Sequence, residues 1–318
     1  MKKSLIIGAG QLGSRHLQGL LKQNISQSIY VVDPSEISLE LSKKRALEIE
    51  HTHQITWCTS ISQLPTNIDL AIVATSANVR KNVVEQLLNH STIEFLVLEK
   101  VLFQKLDEYD SILNLLNQKK QSTWVNHPRR MFSCYEYFKK EIDQSHGTLS
   151  MKVEGNNWGL ACNGLHVLDL FQFLTGHSVV EIQNEWVDKN CFQSKRSGFI
   201  EFYGTIKAVT NHHDTCVITS SEGEPSPLKL SISKGEKHWT IQEGSTIEII
   251  SSDGLSNSFA MQYQSELSCT LATKLFEEKK CALPTYSESD ILHRLFIQSF
   301  LEVYNNGLEV KTDLLPIT

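Results

Sequence analysis

The sequence predicts an α/β fold in two parts. A doubly wound parallel sheet over residues 1–122 precedes an α+β domain over residues 123–318, built on a large, mainly antiparallel open sheet. Three observations predict it. Residues 1–122 alternate short apolar strands with helical patterns, the grammar of βαβ units. The runs 70–74 and 94–99 lack polar alternation, which suits strands covered on both faces. From residue 148 to 251 the chain changes to strand-like segments separated by Gly, Asn, Asp and Pro.

Taken in order, a strand at 5–7 runs into glycines and a helix ending near residue 23. A strand at 28–33 and a helix at 38–48 follow, then strands at 55–58 and 70–74. A helix at 78–89, a strand at 94–99 and a helix at 105–119 complete the alternation. Residues 123–125 form a last strand leaving this part, and 130–142 read as helix. In the second part the strands are 198–203, 215–219, 228–233 and 246–250, interrupted by a helix at 165–174 that Gly176 closes. Helical periodicity returns at 261–277 and 290–303. There is no internal repeat.

Composition narrows the function classes. With 318 residues, 40% hydrophobic and 21% charged, the chain is an ordinary globular protein of about two domains, which excludes disorder and low complexity. A net charge of −6 with no basic patch argues against nucleic acid. The seven cysteines, at 58, 134, 162, 191, 216, 269 and 281, are odd in number, widely spaced and without C-x-x-C. They read as reduced thiols in a cytoplasmic protein rather than as disulfides or zinc ligands. The apolar run at 5–7 is too short for a signal peptide, and no stretch reaches the ~18 apolar residues of a membrane span.

Gly8-Ala9-Gly10-Gln11-Leu12-Gly13 fits G-x-G-x-x-G between a strand and a helix. Gly8 allows a tight turn, Gly10 allows a pyrophosphate close to the backbone, and Gly13 allows close packing of helix on strand. The helix start offers its N–H groups, among them those of Gln11 and Leu12, to phosphate. Asp33 ends the second strand 20 residues after Gly13, where a carboxylate can accept both ribose hydroxyls. No Lys or Arg follows until Lys43, so NAD is favoured over NADP.

With this turn in place, several segments resemble the glucose–fructose oxidoreductase/inositol dehydrogenase/MocA (Gfo/Idh/MocA) family, from about Lys3 to Gly307. Ala74-Thr75-Ser76-Ala77-Asn78-Val79-Arg80 resembles A-T-P-x-x-x-H, the loop beneath the nicotinamide. Glu99-Lys100-Val101 is similar to E-K-P, and Asn126-His127-Pro128-Arg129-Arg130 to the N-x-R segment. Gly164-Leu165-His166-Val167-Leu168-Asp169 matches G-x-H-x-x-D, and Leu283-Pro284-Thr285 the closing L-P-T.

The resemblance implies a Rossmann domain and a second domain whose open sheet packs against another subunit, so a homo-oligomer. An uncovered apolar sheet face would drive such pairing. It also implies hydride transfer between a nicotinamide and a secondary hydroxyl of a sugar, cyclitol or nucleotide-linked sugar. On this reading Thr75, Ser76, Glu99 and Lys100 line the cofactor, and Lys100 and His166 share acid/base work. Burial and a positive nicotinamide would both lower a lysine pKa towards the useful range.

The departures are specific. Ser76 replaces a proline, Arg80 a histidine and Val101 a proline, so a trans Lys100–Val101 bond is expected and Arg80 reads as a solvated helix residue. Cys162 stands where the family has the aspartate four residues before the histidine, leaving Asn163, Asp169 or the substrate as partner for His166. Asn157, Trp158 and Asn163 suit a polyol, with amides for hydroxyls and an indole for a pyranose face.

Two other readings remain: an NAD-binding regulator or scaffold without catalysis, and a redox-neutral enzyme using NAD transiently. His51, His53 and His212–Asp214 lack further ligands for a metal, and Trp186 and Trp239 read as sheet packing.

Overall fold

The structure is a computed structural model that describes all 318 residues. The chain forms two compact units. The first comprises residues 1–103, 107–128 and 262–287; the second comprises 104–106, 129–261 and 288–318.

The first unit runs β1 (Lys2–Ile7), α1 (Gln11–Leu21), β2 (Gln27–Val32), α2 (Glu36–Ala46), β3 (Gln54–Cys58), β4 (Asn67–Val73), α3 (Ala77–His90), β5 (Thr92–Glu99), α4 (Leu106–Lys119) and β6 (Thr123–Asn126). All six strands are parallel, in the order β3-β2-β1-β4-β5-β6. This is the doubly wound order, with its crevice between β1 and β4, where the strand order reverses. Leu5, Ile6, Ala71, Ile72, Leu96 and Val97 are fully buried. Strands covered on both faces need such continuous apolar runs.

The chain then continues through α5 (Ser133–Asp143), β7 (Leu149–Asn156), α6 (Leu160–Thr175) and β8 (Val179–Val187). A short hairpin follows, β9 (Phe192–Gln193) and β10 (Ile200–Glu201). The rest of the sheet is β11 (Gly204–Thr210), β12 (Thr215–Ser221), β13 (Leu228–Lys234), β14 (Lys237–Glu243), β15 (Thr246–Ser251) and β16 (Ser256–Ala260). Helices α7 (Gln264–Glu278) and α8 (Tyr286–Asn306) close the chain. The second unit's eight-stranded sheet has the order β16-β15-β14-β13-β7-β12-β11-β8, antiparallel except for β7 against β12.

One face of that sheet is buried, through Met151, Val153, Ile218, Leu230 and Ile241. Its other face carries Ser150, Lys152, Lys229, Ser231 and Gln242 at alternating, more exposed positions. The open face is thus mixed rather than wholly apolar: hydroxyls and charges alternate into it, with Val217, Ile250 and Trp186 among them. Trp239 is buried against Phe138 as the sheet-packing reading requires, whereas Trp186 is largely exposed on β8.

Helix α7, grouped with residues 123–318 by sequence periodicity, packs in the first unit against α1. A Cβ on Gly19 would lie 2.6 Å from the Ser268 Cβ, so the two helices approach as closely as a glycine permits. No helix is long and apolar enough to cross a membrane, and all seven cysteines are free thiols.

Candidate functional site

Parallel strands deliver all their carboxyl ends to one edge, and the loops there carry the first unit's candidate residues. Gly8 follows β1 with φ +94°, and a Cβ on it would meet the Ala74 carbonyl and the Thr75 nitrogen at 2.9 Å. A Cβ on Gly13 would fall 1.7 Å from the Gly8 oxygen, so only hydrogen fits. At Gly10 the same construction meets nothing within 4 Å, which leaves the turn open to an approaching ligand. Helix α1 begins at Gln11 with no side-chain cap and no acid in its first turn. Its leading N–H groups, Gln11, Leu12 and Gly13 among them, can therefore serve an anion.

Asp33, half-buried after β2, accepts the Ala9 N–H on Oδ2 (2.7 Å) and the Ser35 N–H on Oδ1 (2.8 Å). The carboxylate is fixed beside the turn, and each oxygen keeps capacity for another donor. Arg45 of α2 donates to the Gln11 carbonyl (2.8 Å) and to Ser14 Oγ (2.6 Å). A cation at the flank of the turn was not legible from the sequence, because the contact spans two helices.

On the β4–α3 loop the Thr75 hydroxyl is buried and has no hydrogen-bond partner, while Ser76 donates to Asn78 Oδ1 at 2.7 Å. A buried hydroxyl left unpaired is costly, and a ligand group in the crevice would satisfy it. The glycine cradle, the uncapped helix start and this hydroxyl together fit a dinucleotide.

Glu99 does something else. It is 3% exposed, and its Oε1 pairs with His16 Nε2 (2.8 Å) and accepts from Asn126 Nδ2 (2.5 Å). His16 Nδ1 meets Ser268 Oγ (2.8 Å), and Asn126 also reaches Gln264 (2.9 Å). Burial opposes ionisation of Glu99, yet the His16 and Asn126 hydrogen bonds and the Arg80 charge hold its carboxyl below the usual carboxylate range. Glu99 thus ties α1, β6 and α7 together through Oε1. His16 was the missed member; its only sequence signal is a polar residue on the buried face of an apolar helix.

Lys100, half-buried, follows β5 at the same edge as Gly8, Asp33 and Thr75. The Lys100–Val101 peptide is cis, not trans. Tertiary contacts rather than a proline set this path. Val101, Leu102 and Phe103 are wholly buried, and the Val101 and Leu102 carbonyls both accept from Arg80. Arg80 itself is 1% exposed and also donates to the Thr75 carbonyl. It is not a solvated helix residue: one guanidinium joins the β4–α3 loop to the loop that carries Lys100.

In the second unit, α6 starts after Gly159 (φ +82°), where a Cβ would stand 2.9 Å from Glu201 Oε1. Glu201 accepts the Ala161 N–H (2.8 Å) and the Cys162 N–H (2.9 Å), capping the helix from β10. Cys162 and the half-buried His166 are one turn apart on α6, hence on one face. Asp169, expected near substrate, is 1% exposed and held by Arg130 through two hydrogen bonds of 2.8 and 2.9 Å. Burial pushes its carboxyl up to about 6 against the opposing guanidinium. Both of its oxygens are thus engaged by one fixed cation.

Asn157, Trp158, Cys162 and Asn163 do come together, around a cavity of about 440 Å³ that Phe192 and Tyr203 also line. The Trp158 indole N–H is spent on the Thr219 carbonyl (2.9 Å), and the Asn163 amide on the Trp158 carbonyl (2.6 Å). His166 and Asp169 are not among the lining side chains. No group of three His, Cys, Asp or Glu side chains converges as metal ligands.

Residues 2–127 match the family model for an oxidoreductase family with an NAD-binding Rossmann fold, Gfo/Idh/MocA. That match spans the strands and helices of the parallel sheet, β1 to β6. No curated protein sequence matches the chain. Among solved structures, UDP-N-acetylglucosamine 3-dehydrogenase from Acidithiobacillus ferrooxidans superposes with a TM-score of 0.72 at 12% identity, over 95% of this chain and 98% of that one. Scyllo-inositol dehydrogenase from Lactobacillus casei, with bound NAD(H) and scyllo-inositol, gives 0.70 at 12% identity, over 96% and 98%. The transcriptional regulator Gal80p from Kluyveromyces lactis gives 0.72 at 16% identity, over 99% and 95%. At these identities the likeness is one of fold, and that fold carries both dehydrogenases and a regulator.

Proposed function

We propose that this chain is an NAD-dependent dehydrogenase that moves a hydride between the nicotinamide and a secondary hydroxyl, or the matching ketone, of a sugar, cyclitol or nucleotide-sugar-type substrate. The observation that carries the reading is the unpaired Thr75 hydroxyl beside the glycine turn, on the sheet edge that also bears Lys100. Gly8, Gly10 and Gly13 admit the pyrophosphate to the α1 N–H groups, and Asp33 receives the ribose hydroxyls. A 2′-phosphate would meet the Asp33 carboxylate, which favours NAD over NADP. The cofactor supplies the hydride acceptor; the protein supplies placement and a proton path. Lys100 takes the substrate hydroxyl proton in the oxidation direction and returns it in reduction, and His166 of α6 is a second candidate for acid/base work.

Lys100→Ala, assayed at saturating NADH or NAD so that any loss of cofactor affinity is removed, is expected to lose about 10²–10⁴-fold in turnover across a sugar and cyclitol panel. Near-wild-type turnover by that variant would remove the chemical half of the reading.

The Gal80p likeness and Cys162 in place of an aspartate favour a second reading, a cofactor-binding regulator. Wild-type protein that binds NADH and turns over nothing in the panel would select it. A redox-neutral enzyme would instead retain NAD tightly and convert substrate without accumulating NADH. Self-association is proposed through the charge-bearing outer face of the eight-stranded sheet, so the dimer should weaken as salt rises. Sedimentation showing only monomer at low salt would exclude it.

A further inference from the structure

We propose that the second unit's cavity takes the anionic group of its ligand, a phosphate or a carboxylate, with Lys195 and Arg196 as counter-charges. The inference deepens the proposed function by naming the class of substrate, a sugar-like molecule that carries a negative charge.

The argument starts from which lining groups are already committed. Two of the neutral donors are taken, the Trp158 N–H by Thr219 and the Asn163 amide by the Trp158 carbonyl, while Asn157, Gln193 and Tyr203 stay available to hydroxyls of the same ligand. The cavity's one acid, Glu201, is also taken, with both oxygens on the N–H groups that open α6. That carboxylate sits against the positive end of a helix dipole, so its charge is largely offset locally.

Lys195 and Arg196 differ from all of these. They line the same cavity, and neither side chain makes an ion pair or hydrogen bond. Two unpaired cations over an offset acid leave the cavity with a positive field, which concentrates anions. A guanidinium and an ammonium lining one cavity can each donate to the oxygens of a phosphate or carboxylate.

The frame that holds them is fixed. Both lie on the connection between β9 and β10. Ser194 donates to the Phe199 carbonyl across that connection (2.9 Å), and Ile200 donates to Pro316 (2.8 Å). Phe192 at the base of the hairpin stacks on Tyr203 with centroids 4.2 Å apart. With its N–H occupied, Trp158 offers the cavity an apolar ring, and the stacked pair offers more apolar surface. Apolar rings and neutral amides beside two free cations suit a ring compound that carries both hydroxyls and a charged substituent.

Titration calorimetry with glucose, glucose 6-phosphate, glucuronate and UDP, each with and without saturating NADH, tests the proposal. At least one charged probe is expected to bind about tenfold or more tightly than glucose, and to weaken as salt rises. Glucose 6-phosphate and UDP against glucuronate distinguish phosphate from carboxylate. The double variant Lys195→Gln/Arg196→Gln, altered only at exposed positions, is expected to lose about tenfold for that probe while binding NADH unchanged.

The proposal is overturned if glucose binds as well as the charged probes, if the double variant retains wild-type affinity, or if no charged probe binds at about 10 mM. Displacement of the probe by NADH would also overturn it, because the anion would then occupy the glycine turn. None of these measurements requires turnover. The dehydrogenase reading and the anion site can therefore fail separately.

Discussion

Arg80 places a guanidinium where solvent barely reaches and donates from its two terminal nitrogens to the Thr75, Val101 and Leu102 carbonyls. Nothing around it in the sequence signals this, since a helix arginine is ordinarily solvated and its acceptors come from two distant loops. Arg80→Ala strands those buried carbonyls and is expected to cost about 2–4 kcal/mol, read as a lowered urea midpoint. Arg80→Lys, with a single point charge in place of a fork, should fall between. Asp33 was legible because strand, turn and acid occur at fixed spacing. Asp33→Ala is expected to weaken NADH binding by about tenfold and to narrow its advantage over NADPH, measured by NADH and NADPH fluorescence titration. Glu99 was legible as a residue but not in its role: its partners His16 and Asn126 lead on to Ser268 and Gln264, so the network draws on both ends of the chain. With its folded pKa depressed, Glu99 contributes stability that is present above the unfolded value of about 4.3 and is lost as pH falls through the folded one. The stability gap between wild type and Glu99→Gln should therefore be full near neutrality and shrink below about pH 4 in pH-resolved urea unfolding.

Among the elements, the six parallel strands and the helices between them were readable, because βαβ units repeat one hydrophobic rhythm. Helix α6 begins five residues earlier than periodicity places it, at Leu160, because Gly159 and the Glu201 carboxylate build its first turn. That cap comes from a strand forty residues downstream and leaves no local mark. The α1–β1 junction makes the most exacting demand on any single position. Gly13→Ala drives a methyl into the Gly8 carbonyl, so α1 must shift away from β1. NADH binding is expected to fall by more than about tenfold, with a lower melting temperature, whereas Gly10→Ala should lower affinity with little change in melting temperature because it meets no protein atom. Equal thermal losses for the two would contradict this account of the turn.

At the scale of the whole chain, the mixed architecture was legible from the change of grammar near residue 122, but the route of the chain was not. Hydrophobic period identifies a helix without naming the surface it covers, so α7 could not be assigned to the first unit before its contacts with α1 were seen. Nor did composition foretell the mixed outer face of the large sheet, since alternation alone does not say which side is covered. Binding to the native state alone stabilises it by mass action, so NADH at about 100 times its Kd should add about 2.7 kcal/mol. A scanning calorimetry trace unmoved by NADH would count against the glycine turn as a cofactor site.

Because residues 262–287 complete the first unit, a ribosome must finish nearly the entire polypeptide before that unit has all its parts. A nascent chain stalled after residue 128 holds every strand of the parallel sheet. It still lacks the helix that meets Gly19 and supplies Ser268 and Gln264 to the His16 and Asn126 side chains, and Thr273 to Gln23. The fragment 1–128 should consequently be protease-sensitive when released alone. Adding a synthetic 262–287 peptide in trans is the direct way to ask whether the missing helix restores it.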